Sequence, residues 1–249
     1  MIVIKNDQQI ELMRKAGKIV GETLLLVEKN IKPGITTAEL DRIAEEFITK
    51  HGAKPSFKGL YGFPASLCIS VNEQVVHGIP GRYVLQEGDI VSVDCGAEIE
   101  GYHGDAARTF AVGNVSEEAK KLIEATEQSF FKGIEKAMPG NRLSDISHEI
   151  QSYVEASGFS VVRDFVGHGI GTKVHEDPDI PNFGRPGRGP KLVAGMALAI
   201  EPMVNLGNHR VKTLSDGWTA VTADGSLSAH YENTVVILPD GPEILTLIK

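Results

Sequence analysis

Apolar and polar positions along this chain follow two periods, one helical and one strand-like. Near the start, Ile10 and Met13 share one face of a predicted helix whose cap is Asn6 or Asp7. Asp89-Ile90-Val91-Ser92-Val93-Asp94-Cys95 alternates like a strand, Tyr102 to Phe110 forms a second, and Ile99-Glu100-Gly101 between them reads as a turn. A hairpin centred between Ile99 and Glu100 sets Asp94 opposite Asp105, because cross-strand partners sum to a constant. Directly opposed residues have Cβ atoms about 4.5–5.5 Å apart, and two bare like charges there repel. Something cationic is expected between them.

The same pattern occurs twice. Leu192-Val193-Ala194-Gly195-Met196-Ala197-Leu198-Ala199-Ile200-Glu201 has the plan of Leu85-Gln86-Glu87-Gly88-Asp89-Ile90-Val91-Ser92-Val93-Asp94: Leu, Gly three residues on, then a strand whose acid lies six residues after the Gly. Upstream, Lys32-Pro33-Gly34 and a helical pattern running to Gly52 recur as Met138-Pro139-Gly140 and a helix running to Gly158, an offset of 106 to 107 residues. The repeat predicts a duplication, roughly 10–115 and 116–240, packed about a pseudo-twofold axis with Asp94 and Glu201 as equivalents beside it.

Five candidate metal ligands lie on this frame: Asp94, Asp105, His168, Glu201 and Glu232. Four carboxylates and one imidazole are the hard, mixed O/N set that two divalent cations take. A single strand acid is more often exposed or salt-bridged; the hairpin pairing and the repeat together argue against separate ordinary explanations. His168 lies in Val166-Gly167-His168-Gly169-Ile170-Gly171, where the glycines could form a turn or let the ring approach a site closely. His175 is expected near the same loop. From Glu176-Asp177-Pro178 to Pro190 the abundance of Pro and Gly excludes regular structure, and we read this loop as a rim of the site rather than a domain linker. Ser228 to Ile237 reads as another strand entering an apolar run, where an unpaired Glu232 would be costly, although an exposed edge position stays open.

The joint set His77-Gly78-Ile79-Pro80, Asp94, His103-Gly104-Asp105, Gly167-His168-Gly169-Ile170-Gly171, Glu201-Pro202-Met203 and Tyr231-Glu232-Asn233-Thr234 resembles the methionine aminopeptidases of type I over essentially the whole chain. The resemblance implies an α+β class and the pita-bread aminopeptidase fold: two pseudo-twofold-related halves with a central curved antiparallel sheet covered by helices. It implies that Asp94 and Glu232 bridge or share two metals, with Asp105 on one ion and His168 and Glu201 on the other. Glu201 would also handle the proton of the water between them. His77 and His175 would contact substrate and stabilise the tetrahedral intermediate, in a reaction that removes the initiator methionine from new polypeptides. A small second residue is expected, because both histidines would crowd the position after the scissile bond.

A methionine pocket should be apolar, with aromatic and sulfur contacts for the thioether. The resemblance assigns it to Phe57, Leu60, Phe63, Cys68 and Trp218, the only Trp in the chain, although Phe57 and Leu60 could equally be ordinary core. Two positions depart from the family. Phe63 stands where Tyr is frequent, and Val174 stands where an aromatic often precedes His175.

Size and charge agree with this reading. The 249 residues suffice for one catalytic domain, 1–249, and 41% apolar content supports a buried core. A net charge of -8 argues against non-specific nucleic-acid binding, so a transient ribosome contact would rest on a local basic patch. Cys68 and Cys95 are too few for a disulfide scaffold. Asn6-Asp7-Gln8-Gln9 and Glu11 interrupt any signal-like opening, and no run reaches the roughly 18 apolar residues of a membrane span. These points predict a cytoplasmic protein. Its metals would be two divalent ions among Co, Mn, Fe and Zn, all of which accept carboxylate and imidazole. The absence of a Cys/His cluster before the first helix and the short gap from Glu201 to Glu232 favour type I over zinc-finger-bearing and type II relatives. A prolidase or aminopeptidase P is expected to carry more than the 93 residues that precede Asp94, and a creatinase-like enzyme or a binding protein on this fold would lack ligands present here.

Overall fold

The computed structural model describes residues 1–248. Helix α1 spans Asp7–Asn30, and Asn6 is its cap: its side chain accepts from the Gln9 N–H while the Gln9 side chain accepts from the Asn6 N–H. Helices α2 (Thr37–Lys50) and α4 (Leu143–Ala156) follow the predicted patterns, whereas α3 (Glu117–Ile134) is a helix that the repeat did not point to; Thr36 and Ser116 cap α2 and α3. Gly52 and Gly158, just beyond α2 and α4, have φ of +75° and +86°, which glycine adopts without the steric cost paid by other residues.

All strand pairing is antiparallel. In the N-terminal half the Ile90–Ile99 strand is flanked by Leu67–Val71 and Lys54–Pro55 on one edge and by Tyr102–Ala111 on the other. In the C-terminal half five strands run in the order Gly241–Ile244, Asn233–Leu238, Ala197–Ile200, Gly167–Gly169, Glu176–Ile180. The two sheets meet where the Glu232 N–H donates to the Ala107 carbonyl at 2.9 Å. Beside that bond, Thr234 Oγ1 accepts from the Asp105 N–H and donates to the Asp105 carbonyl, both at 2.9 Å. This seam brings two distant acids together.

Each half buries its own apolar cluster. Val20, Leu24, Leu40 and Ile48 of α1 and α2 pack on Leu67, Val91 and Val93, whereas Leu122, Phe130, Ile146 and Ile150 of α3 and α4 pack on Leu198, Ile200 and Val235. A fully buried side chain of this size contributes about 1.5–3 kcal/mol relative to exposure. The backbone links repeat as well. Gly34 donates to the Leu85 carbonyl and Leu85 to Ile35, while Gly140 donates to Leu192 and Leu192 to Asn141. Gly88 donates to Val112, and Gly195 donates to Ile237.

Four expectations need correction. The hairpin turns on Glu100-Gly101, both at positive φ (52° and 81°), so Asp94 pairs with Ala107 and Asp105 with Gly96. Two residues at positive φ make the tight turn whose twist suits a hairpin, and they shift the register by two. That shift keeps both acids on one face, because side chains alternate with period two. Secondly, Glu176–Ile180 is a strand despite Pro178, on the sheet edge where the missing N–H costs no ladder bond. The chain beyond it docks on α4, with Gly184, Gly187 and Arg188 N–H groups donating to Gln151, Asp145 and Ser144 side chains. Only the segment around residues 176–179 borders the active-site cleft. Thirdly, Gly167–Gly169 is strand rather than turn, and its glycines serve close approach: a Cβ at Gly167 would lie 2.3 Å from the Ala199 carbonyl oxygen. Lastly, 228–237 is two strands, Ser228–His230 and Asn233–Leu238, interrupted at Tyr231-Glu232. Among the described residues, no helix is long and apolar enough to cross a membrane.

Candidate metal centre

Asp94 and Asp105 project from the long hairpin, His168 from the Gly167–Gly169 strand, Glu201 from the residue after Ala197–Ile200, and Glu232 from the break at the seam. All five border one cavity of about 120 Å³. His168 Nε2 lies 3.5 Å from Glu201 Oε1 and 4.0 Å from Asp105 Oδ2. Asp105, His168 and Glu232 form one group able to hold an ion, and Asp94 and Glu232 belong to a second; Glu232 is common to both.

The electrostatics show what this cluster lacks. Burial pushes the Asp94 carboxyl up to about 7 and lifts Asp105, Glu201 and Glu232 well above the usual carboxylate range, with neighbouring acids adding to the rise in those three. Asp94 Oδ1, Asp105 Oδ1 and Glu232 Oε1 are buried without a hydrogen-bond partner among the described residues. No Lys or Arg among them makes an ion pair with any of the four acids. Four such carboxylates in one small volume are costly unless cations neutralise them. His168 Nδ1 lies 2.9 Å from the Gly169 carbonyl, which can only accept, so this nitrogen carries the proton and Nε2 faces the acids with its lone pair. Burial holds His168 down to about 4, neutral and ready to ligate. The residues present therefore fit a pair of divalent ions.

Above this polar floor the wall is apolar. Phe57, Phe63, Cys68 and Val174 are buried together, with Leu60 and Trp218 packed against them. The Trp218 and Phe63 rings meet edge to face at 5.1 Å. Val174, one of the two departures from the family pattern, thus fills space in this wall. Burial and the nearby acids keep the Cys68 thiol protonated, so it contributes as an apolar surface. His77 and His175 line the same cavity, and the His175 ring lies 4.5 Å from that of His168. Burial depresses both His77 and His175, favouring neutral imidazoles. A larger open cleft of about 780 Å³, bordered by His77, His175, Asp177 and Asp179, leads outward.

Two residues of the site escaped the sequence reading. Tyr61, held at φ 51°, stacks on His175 at 5.9 Å and lines the cavity. His230 is buried with Nε2 3.8 Å from both Glu201 Oε2 and Glu232 Oε2. Its only signal was its place two residues before Glu232.

Residues 11–239 match metallopeptidase family M24. The chain is 78% identical to a methionine aminopeptidase of Clostridium perfringens and 57% identical to methionine aminopeptidase 1 of Bacillus subtilis, covering all of each. It superposes on the methionine aminopeptidase of Thermotoga maritima with a TM-score of 0.98 at 51% identity, each chain fully covered. A prolidase of Pyrococcus furiosus, 23% identical, shares the fold over 99% of this chain and 66% of its own, with a TM-score of 0.81. The chain belongs to metallopeptidase family M24, among its methionine aminopeptidases.

Proposed function

We propose that this chain is a metal-dependent aminopeptidase of type I that removes the N-terminal methionine from new polypeptides whose second residue is small. The observation that carries the reading is a floor of four carboxylates, Asp105 and Glu232 buried and Asp94 and Glu201 nearly so, with no cationic side chain among the described residues paired to them, beneath an apolar, aromatic wall and joined in one cavity. Asp94, Asp105, His168, Glu201 and Glu232 would hold two divalent ions, Co, Mn, Fe or Zn. When bound, such ions lower the pKa of water toward neutrality and polarise the scissile carbonyl.

The protein's own groups do the rest. The apolar wall of Phe57, Leu60, Phe63, Cys68 and Trp218 takes the methionine side chain, with the aromatic rings contacting its sulfur. Glu201 takes the proton of the attacking water; its raised affinity for a proton suits that task. Neutral His77 and His175 donate N–H groups to the developing oxyanion, worth about 10²–10³ in rate for one well-placed donor. Tyr61, stacked on His175, narrows the space beyond the scissile bond and supports selection of small second residues.

The two halves, roughly 10–115 and 116–240, form one catalytic domain, because the ligands come from both and neither holds a complete set. We place the enzyme in the cytoplasm, where new chains emerge. With a net charge of -8, a transient ribosome contact would depend on local basic residues, and co-sedimentation tests it. Peptide turnover tests selectivity: Met-Ala, Met-Gly and Met-Ser should be cleaved far faster than Met-Lys or Met-Leu. Equal rates would contradict the assignment of His77, His175 and Tyr61 as the crowding groups.

A further inference from the structure

One buried ring nitrogen at the metal centre stands outside the five-residue ligand set. His230 is 2% exposed, and its Nε2 has no hydrogen-bond partner among the described residues. Leaving a buried polar group unsatisfied costs about 1–3 kcal/mol. The position is not slack. The His230 N–H donates to Thr109 Oγ1, which in turn donates to the His230 carbonyl, both at 2.9 Å, and Met203 pairs with His230 across the adjacent strand. The backbone is thereby fixed, and the ring is aimed at the acids.

The surroundings of Nε2 are those of a ligand. It lies 3.8 Å from Glu201 Oε2 and 3.8 Å from Glu232 Oε2. Ligand atoms of Asp94, His230 and Glu232 all lie within 4.8 Å of one another, in a group separate from that of Asp105, His168 and Glu232. Nitrogen and oxygen ligands bind at about 2.0–2.2 Å, so two on one ion at tetrahedral or octahedral angles are ~3.0–3.4 Å apart. The 3.8 Å spacing between His230 Nε2 and Glu232 Oε2 therefore closes onto a cation with a shift of a few tenths of an ångström, and Asp94 belongs to the same group.

We propose that His230 is a sixth protein ligand, binding through Nε2 the ion held by Asp94 and Glu232. Each of the two ions then carries one imidazole, His168 on one and His230 on the other. Replacing one oxygen by nitrogen moves that site toward the later divalent metals, Co and Zn, and away from Mn. The inference rests on the dinuclear reading, and the test separates the two.

Protein labelled with ¹⁵N-histidine and loaded with two equivalents of ¹¹³Cd²⁺ should show two ring nitrogens split by coupling to cadmium. In His230→Gln one of the two couplings should vanish, and one of the two Cd²⁺ affinities, measured by calorimetry, should weaken by about 10-fold or more. A doubly loaded wild-type protein in which His168 alone is coupled would overturn the inference while leaving the dinuclear site intact, and His230 would then be a hydrogen-bond donor to the carboxylates. Uptake of fewer than two Cd²⁺ per chain would overturn both. Should His230→Gln fail to fold, the count of coupled nitrogens in the wild-type protein decides by itself.

Discussion

In the N-terminal half, Asp94 sits in the middle of a ten-residue strand whose partner follows after a two-residue turn, so Asp105 arrives on the same face by local geometry. In the C-terminal half, Glu201 follows a four-residue strand, and its neighbour Glu232 arrives only after several short strands and a seam across the whole molecule. The first half is a rigid platform that places ligands. The second assembles the rest of the site, including both candidate imidazole ligands, from segments held by long-range contacts. Repeated backbone links thus coexist with different ways of presenting an acid, and the half with the more elaborate route carries the proton-handling candidate.

The largest effect that can break this contrast lies at the equivalent acids themselves. Glu201→Gln keeps size and one oxygen but cannot take the proton of water, so kcat should fall by about 10²–10⁴ or more and stay low with metal in excess. Asp94→Asn should lose metal affinity first and recover part of its activity as metal is raised. Equal rescue of the two variants would reduce Glu201 to a ligand and erase the functional difference between the halves.

The seam gives a second, smaller test. Thr234 Oγ1 satisfies both the N–H and the carbonyl of Asp105, and Thr234 is fully buried. Thr234→Val retains the shape and strands those two backbone groups, which should destabilise the fold by about 1–3 kcal/mol in denaturant unfolding. Weaker metal binding should accompany the loss, since Asp105 is the residue set free. Unchanged stability would show that the halves do not depend on this bond.

Gly88 and Gly195 sharpen the comparison further. Both are at positive φ, 94° and 89°, so alanine costs about 1–2 kcal/mol at either. A Cβ at Gly88 meets only Asn114 at 3.8 Å, whereas one at Gly195 would lie 2.6 Å from the Lys5 carbonyl oxygen. Gly195→Ala should therefore lower Tm more than Gly88→Ala; the reverse order would contradict the packing of the N-terminal segment on the second half.

The smallest effect concerns pH. The Asp94 carboxyl, at about 7 in the metal-free fold, lies above its unfolded value of about 3.9. The folded state therefore binds more protons than the unfolded one between these values, so this group's contribution to stability falls as pH rises from about 4 to 7. Asp94→Asn removes that term, and the metal-free variant should lose less Tm than the metal-free parent between pH 5 and 7.5. An identical slope would mean that Asp94 does not titrate in that range.

These contrasts also explain how much could be read from the sequence. Three of the four helices, the repeat and the face shared by Asp94 and Asp105 were legible because they depend on local period, and the two-residue register error left the face unchanged. The Glu176–Ile180 strand was hidden because Pro178 argues against regular structure everywhere except an edge. Tyr61 was missed because it carries no local signal, and His230 because its one signal, a place two residues before Glu232, is weak. Their roles come from the seam and from a stacked contact with His175, both made between distant segments.

The central claim is a catalytic pair of divalent ions held by buried carboxylates, and metal dependence tests it most directly. Protein purified without added cations, dialysed at length against EDTA and then freed of chelator should be inactive on a Met-Ala peptide. Titration with a divalent metal should restore turnover, with bound metal reaching two ions per chain at full activity. Full activity in excess EDTA would contradict the account.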